Sequence, residues 1–184
     1  GGRRAWGRGR ERSSGGLVHG ALRNSGRSIA SGNLPRDSAS GRLRCGVPMK
    51  GSGPERSAAG FLDSMADLPD LSSSPFSFPE RYSEARRLIR KGVRSFRTTS
   101  IGRLFDAAAA LLGFTRETSF EGQAAMWLEQ LARASGTSDA YPFPFDGAML
   151  DFRPLLGGLV KDREHGRSAA EAARAFQRGV AVGI

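Results

Sequence analysis

The sequence predicts a mainly α-helical chain preceded by a basic segment without regular structure. Three observations lead there. Between residues 80 and 184, apolar residues recur at i, i+3, i+4 and i+7. No stretch alternates apolar and polar residues for long enough to announce a confident strand. Residues 1–50 follow neither period and are dominated by Gly, Arg and Ser.

Charge separates the same two parts. The chain has 184 residues and a formal net charge of +10. Residues 1–50 hold 11 Lys/Arg against 2 Asp/Glu, while residues 51–184 hold 17 against 16. The basicity therefore belongs to a segment with too little apolar surface to offset its ordering entropy. Three readings of residues 1–50 stay open: a disordered basic tail, a transit-type leader, or non-native sequence from GC-rich DNA read out of frame. The leader reading has the Arg- and Ser-rich, acid-poor composition but no clear amphipathic helix.

Residues 51–79 read as a linker with a short possible helix around Ser57 to Met65 and a Pro/Ser-rich connector to Pro79. Ser83 to Lys91 is expected as a short basic helix ended near Gly92, and "GVRSFRTT" as a loop or short extended piece. The next helix starts at Thr99 or Ser100, either a good N-cap, and stops at Gly113. Its apolar stripe is Ile101, Leu104, Phe105, Ala108, Leu111 and Leu112. Ser119 is the expected cap of the following helix, with Glu121 and Gly122 in its first turn and Ala124, Trp127, Leu128 and Leu131 inward. "YPFPFD", with Pro142 and Pro144, must be extended and outside any sheet centre. A helix from about Pro154 to Glu164 follows, turning Leu155, Leu156, Leu159 and Val160 inward. Ser168 to Glu171 is a capping-box pattern opening a last helix with Ala172, Ala173, Phe176 and Val180 on its apolar face. That helical pattern still runs at Ile184, so the domain is expected to continue beyond it.

Several chemistries are set aside at this stage. Cys45 is the single cysteine, so no disulfide framework or CxxC pair exists and a reducing, cytoplasmic setting is expected. No apolar run approaches membrane-spanning length. His19 and His165 are far apart without neighbours at metal-ligand spacing, so no self-sufficient metal site is expected. Nucleic acid is disfavoured as a partner because the charge lies in a segment without aromatic interleaving.

Asp106 is the residue that asks for an explanation. At about 100° per residue it lies roughly 140° around its helix from Ile101, among Gly102, Ala109 and Ala110. One reading is a solvated acid on an exposed face. The other is an acceptor for vicinal hydroxyls, which small neighbours would let approach the helix. Gly122 likewise is either a plain helix-start glycine or a point of close backbone approach to a ligand.

The stretches "TSIGRLFDAAAALLGF" and "SFEGQAAMWLEQLA" resemble the HypF family of hydrogenase maturation carbamoyltransferases. That family's pattern reads T-S-S-x-G-R-L-F-D-A-x-A-A-L-L-G and then Y-E-G-Q-A-A-x-x-L-E-x-L-A. Phe120 stands where the family has Tyr. "LDFRPLLGGLVKD" and "SAAEAARAFQRGVAVGI" extend the resemblance, with Gln177 where His is usual, and together it covers about residues 80–184. "GPERSAAGFL" is only weakly similar to the family's stretch upstream.

The resemblance implies the helical portion of an α/β actin-like, sugar-kinase-like domain, present as a partial carbamoyltransferase domain over residues 80–184. It also implies that carbamoyl phosphate and ATP give a carbamoyl-adenylate, whose carbamoyl group passes to the C-terminal cysteine of a HypE-like acceptor. By the same resemblance Asp106, Gly122 and Glu121 bind nucleotide, Asp106 and Gly122 at the ribose. A complete family domain uses ATP and a divalent metal, zinc or iron. Its H-x-x-x-H ligands and its G-G-V-F-Q-N motif have no counterpart in this sequence. The fragment is therefore expected to be inactive alone, and no catalytic residue is assigned. A TsaD-type tRNA threonylcarbamoyl transferase is the neighbouring alternative, but Arg103-Leu104 and "EGQ" favour the HypF type. A basic nucleic-acid-binding helical protein is the alternative from a different class.

Overall fold

Helix α3, Ile101–Leu111, occupies the middle of the fold, and the other elements are most simply described from it. The computed structural model of the chain describes residues 43–46, 53–93, 95–136, 139–145, 147 and 149–184, all within one unit, Ser38–Ile184. Ala107 to Leu111 are fully buried on every side of α3, as a helix surrounded by neighbours requires. Helix α1 (Glu55–Leu62) packs on α3 and on α2 (Glu80–Arg90). Helix α4 (Gln123–Arg133) packs on α3 and on α6 (Ala169–Gly183), and α5 (Phe152–Glu164) packs on α6 and α3.

Aromatic contacts bind these layers. Phe61 of α1 meets Phe152 of α5 edge to face at 5.1 Å between centroids, and Phe105 of α3 meets Phe176 of α6 the same way at 5.2 Å. Such pairs add to the area they bury.

The helix ends follow from local chemistry. Ser168 accepts from the Glu171 amide and Glu171 reaches back to the Ser168 amide, closing the expected capping box. Asp151 caps α5 by accepting from the Arg153 amide, so the helix starts at Phe152, two residues before the predicted Pro154. At the end of α3, Gly113 takes φ +110° while Phe114 N–H donates to Ala109 and Gly113 N–H to Ala110. That is a Schellman closure, which needs a left-handed residue.

Four expectations change. Ser100 precedes α3 without a side-chain capping bond; instead its own amide donates to Thr98 Oγ1. Helix α4 is capped by Gly122 in the left-handed region at φ +83°, so Ser119 is not its cap and Glu121 lies in the turn before it. Ser119 N–H donates to Gln123 Oε1, tying the loop to the helix start. The short helix expected around Ser57 to Met65 is present as α1, but it is core and not linker, with Ala58, Ala59, Phe61 and Leu62 buried. Finally, there is a strand pair: β1 (Leu43–Gly46) runs antiparallel to β2 (Ser95–Thr98), with Leu43 opposite Thr98 and Gly46 opposite Ser95. Four residues place only two side chains on each face, too few for an alternation to be read.

The extended "YPFPF" stretch lies along α6. Tyr141 N–H donates to Ala175 O. A Cβ on Gly179 would stand 2.4 Å from Tyr141 O, and one on Gly183 would stand 2.6 Å from Phe143 O. Ala175, Gly179 and Gly183 recur every four residues and form the small-residue track on which that stretch rests. Of the expectations for residues 1–50, those on 1–42 and 47–50, including His19, lie outside the described residues.

Candidate functional site at the α1, α3 and α4 junction

Asp106 sits in the second turn of α3, on the side that also carries Ala109 and Ala110. That face is not an open shelf of small residues, because α1 covers it. Ser57 of α1 donates through Oγ to Asp106 Oδ2 at 3.5 Å, and the two alanines beyond are fully buried. The small side chains thus let α1, itself "RSAAG" at this level, approach α3 closely.

Arg103, one turn earlier, donates through a terminal guanidinium nitrogen to the same Oδ2 at 2.9 Å. Only 15% of the Asp106 side chain remains exposed. Both observed partners engage Oδ2, and no described residue engages Oδ1. Burial pushes the Asp106 carboxyl above the usual carboxylate range, against the opposing pull of Arg103 and Ser57. The negative charge of Glu121 pushes the same way. Asp106 and Glu121, predicted separately from sequence, are therefore close enough to act on one another.

Gly122 follows Glu121 and aims the first turn of α4. Its φ of +83° is the reason for glycine there; a Cβ at this position would meet nothing within 4 Å. The backbone beside Gly122 is consequently uncovered on that side, and Glu121 is exposed. Phe120, in the position of the family's Tyr, is also exposed.

Sequence reading passed over Ser57 and the ion pair beside it. Glu55, in the first turn of α1, is 0% exposed, with Arg81 Nε of α2 standing 2.6 Å from its Oε1. The contact pairs opposite charges in the interior. Arg81 also donates to the backbone carbonyl of Thr115, in the loop leading to Glu121. Burial raises the Glu55 carboxyl, with its own backbone amide and Arg81 opposing that rise. A Cβ on Gly53 would lie 2.0 Å from Glu55 Oε2, so any larger residue there would push the buried carboxylate from its place. The faint signal was an acid and a serine two positions apart in "GPERSAAGFL", a stretch too weakly patterned to place in a core.

Two other sequence candidates stay apart from this junction. His165 is exposed at the end of α5, with Nδ1 2.6 Å from Lys161 O. Cys45 lies on β1. Among the described residues no group of three His, Cys, Asp or Glu is placed to hold a metal ion. Among them, too, no helix is long and apolar enough to cross a membrane.

The chain is similar to proteins of one family. A family model described as "Carbamoyltransferase, Kae1-like Domain, second subdomain" matches residues 46–184. Carbamoyltransferase HypF of Rhodobacter capsulatus is 39% identical over 128 residues, covering 67% of this chain and 17% of that protein. Its counterpart in Rhizobium leguminosarum bv. viciae is 43% identical over 88 residues, 47% of this chain and 11% of that protein. The chain thus spans under a fifth of the length of these relatives. Two crystal structures share the fold: full-length HypF in a phosphate- and nucleotide-bound form (TM-score 0.61, 24% identity, 76% of this chain and 19% of that one), and HypF of T. kodakarensis (TM-score 0.63, 22% identity, 76% and 20%).

Proposed function

Because this chain belongs to the HypF carbamoyltransferase family, we propose that residues 46–184 supply the ribose-binding wall of a nucleotide-dependent carbamoyltransferase. The observation that carries the reading is the state of Asp106. Its Oδ2 is held by Arg103 and Ser57, while no described residue occupies Oδ1. A fixed carboxylate with a free oxygen is the acceptor that vicinal ribose hydroxyls require, and a charged acceptor makes the stronger hydrogen bonds.

Each neighbour has a part in this reading. Arg103 and Ser57 orient the carboxylate, so that little side-chain entropy is lost when nucleotide arrives. Gly122 turns the chain at the edge of the site and leaves its backbone uncovered there. Glu121, beside it, supplies a second acceptor. ATP fits this arrangement at its sugar, and the phosphate-binding groups belong to other parts of the protein.

In the complete protein the reaction proposed is hydrolysis of carbamoyl phosphate to carbamate and phosphate, followed by attack of the carbamate on the α-phosphate of ATP, which gives a carbamoyl-adenylate and releases pyrophosphate. The carbamoyl group then passes to the C-terminal cysteine thiol of a HypE-like acceptor, with release of AMP, in the cytoplasm. The "EGQ" and "GRLFD" residues support this over a TsaD-type tRNA-modifying enzyme. The test is ATP-dependent carbamoylation of an acceptor protein ending in cysteine, by a full-length protein containing this segment. Asp106→Ala is expected to lower the rate at least tenfold with the fold retained. Transfer at the parental rate would remove Asp106 from the site.

A further inference from the structure

Two parts of the chain flank Asp106, and one side chain touches both. Helix α1 brings Ser57 to Asp106 Oδ2, and the loop after α3 ends in Glu121, whose charge acts on the same carboxyl. Positions two apart on a helix point about 200° from one another, so α1 presents Ser57 to α3 and Glu55 to α2. There Glu55, fully buried, meets Arg81 Nε at 2.6 Å. A terminal nitrogen of the same guanidinium donates to the carbonyl of Thr115, where the loop leaves the Schellman closure of α3.

The loop is also held at its two ends. Phe114 N–H bonds back to Ala109, and the Phe114 ring stands 5.3 Å from Trp127 of α4. At the far end Ser119 N–H donates to Gln123 Oε1, and Gln123 N–H to Phe120 O. Those ties run to α3 and α4, whereas Arg81 relates the loop to α1 and α2. Glu55 is confined in turn, because the chain entering α1 packs directly against its carboxylate at Gly53. A buried ion pair is a poor source of net stability, and its better-attested use is to fix one register of the groups it joins. Arginine suits that use. Its planar fork holds Nε and the terminal nitrogens at fixed spacing, while a lysine ammonium is one point charge on a flexible stem.

We propose that Arg81 is a positioning residue for the nucleotide site, setting the separation of Ser57 and Glu121 across Asp106 by bridging Glu55 and the Thr115 carbonyl. This role rests on the ribose reading of Asp106. Arg81 itself touches no nucleotide; it holds the two flanks of the carboxylate at the width a ribose needs. The flanks are then ordered at folding and not when nucleotide arrives. The ribose takes no part in carbamoyl transfer, so its contacts are equal in ground state and transition state. Loss of positioning therefore raises KM for ATP and leaves kcat in place.

The test is steady-state carbamoyl transfer by full-length protein containing this segment, with ATP varied. Arg81→Lys keeps a cation beside Glu55 and removes the fork. It should raise KM for ATP about fivefold, with kcat held within about twofold. Glu55→Gln keeps the shape, removes the charge that faces Nε, and should move KM in the same direction. In the 184-residue chain both variants should retain the parental far-ultraviolet circular dichroism and a cooperative melt, which separates misplacement from unfolding. In an Asp106→Ala background, Arg81→Lys should add less than about twofold to KM, because the two act as one unit. Parental KM in Asp106→Ala would refute the ribose reading and the positioning role with it. A raised KM in Asp106→Ala beside parental KM in both Arg81→Lys and Glu55→Gln would overturn the positioning role alone. So would a fall in kcat at constant KM, or a fivefold loss that persists in the Asp106→Ala background.

Discussion

Replacing Asp106 with Asn separates a residue kept for binding from one kept for stability. In the native fold the carboxylate is largely buried, and burial outweighs Arg103 and Ser57 in setting its protonation. A carboxyl whose folded pKa lies above its unfolded value holds its proton more tightly when folded. The ionised form is then a net cost to the fold, absent at pH below the ordinary value of 3.8 and fully present above the raised folded value. Asn keeps the shape and can still accept from Arg103 and Ser57 through its carbonyl oxygen. The 184-residue Asp106→Asn variant should accordingly melt no lower than the parent at pH 7. The difference in its favour should grow as pH rises from acid through the carboxylate range. Ribose binding moves the other way. Exchanging a charged acceptor for a neutral one forfeits the difference between the two kinds of hydrogen bond, about 1–1.5 kcal/mol, which is about five- to thirteenfold in nucleotide affinity. Differential scanning fluorimetry across pH reads the first quantity, and calorimetric titration of full-length protein with ATP reads the second. A variant that melts several degrees lower at pH 7 while binding ATP normally would make Asp106 a structural anchor and refute the argument.

Three further outcomes test the packing around the site. Gly122→Ala, at φ +83° in open space, should destabilise by about 1–2 kcal/mol through backbone strain alone. Gly122→Asn, a residue more tolerant of that conformation, should cost less, and equal urea midpoints for the two would contradict this. The neighbouring glycines of α5 should respond with opposite sign. A Cβ on Gly157 makes an ordinary 3.7 Å contact with Met65, so alanine should add about 0.5–1 kcal/mol. A Cβ on Gly158 falls 2.8 Å from the Tyr141 ring, so overpacking of about 1–3 kcal/mol should cancel or exceed that gain. Equal shifts in denaturant midpoint for the pair would refute the close approach. Arg81→Ala leaves Glu55 buried without its cation, a loss of about 3 kcal/mol near neutrality when a buried pair is broken. Because burial raises Glu55, protonation relieves that loss, so the destabilisation should shrink as pH falls; a loss independent of pH would show that Arg81 acts by packing alone.

Much of the helical framework was legible because helices announce themselves locally. The stripe of α6 and its Ser168–Glu171 capping box depend on contacts within one or two turns, and the structure has them as read. The same holds for the Gly113 stop of α3. The family was legible for a different reason, a resemblance spanning two adjacent stretches of chain. What escaped was whatever depends on partners distant in sequence. Helix α1 could be read as a short possible helix from its residues, but its small-residue pattern gave no sign of burial, and only its fit against α3 makes it core. The β1–β2 ribbon joins residues about fifty apart, and neither half carries a periodic signal.

The sequence by itself determined where the helices lie, that the basic charge is confined to the first fifty residues, and which acid bears the family's motif. Tertiary structure alone decided what that acid experiences. Pattern put Asp106 on a face of alanines that looked open; packing filled the face with α1, brought Ser57 to the carboxylate and drew Glu55 and Arg81 together behind it. The reason is physical: helical periodicity is set by backbone hydrogen bonds four residues apart, whereas burial, charge pairing and the protonation they govern are set by segments that meet only after the chain has folded.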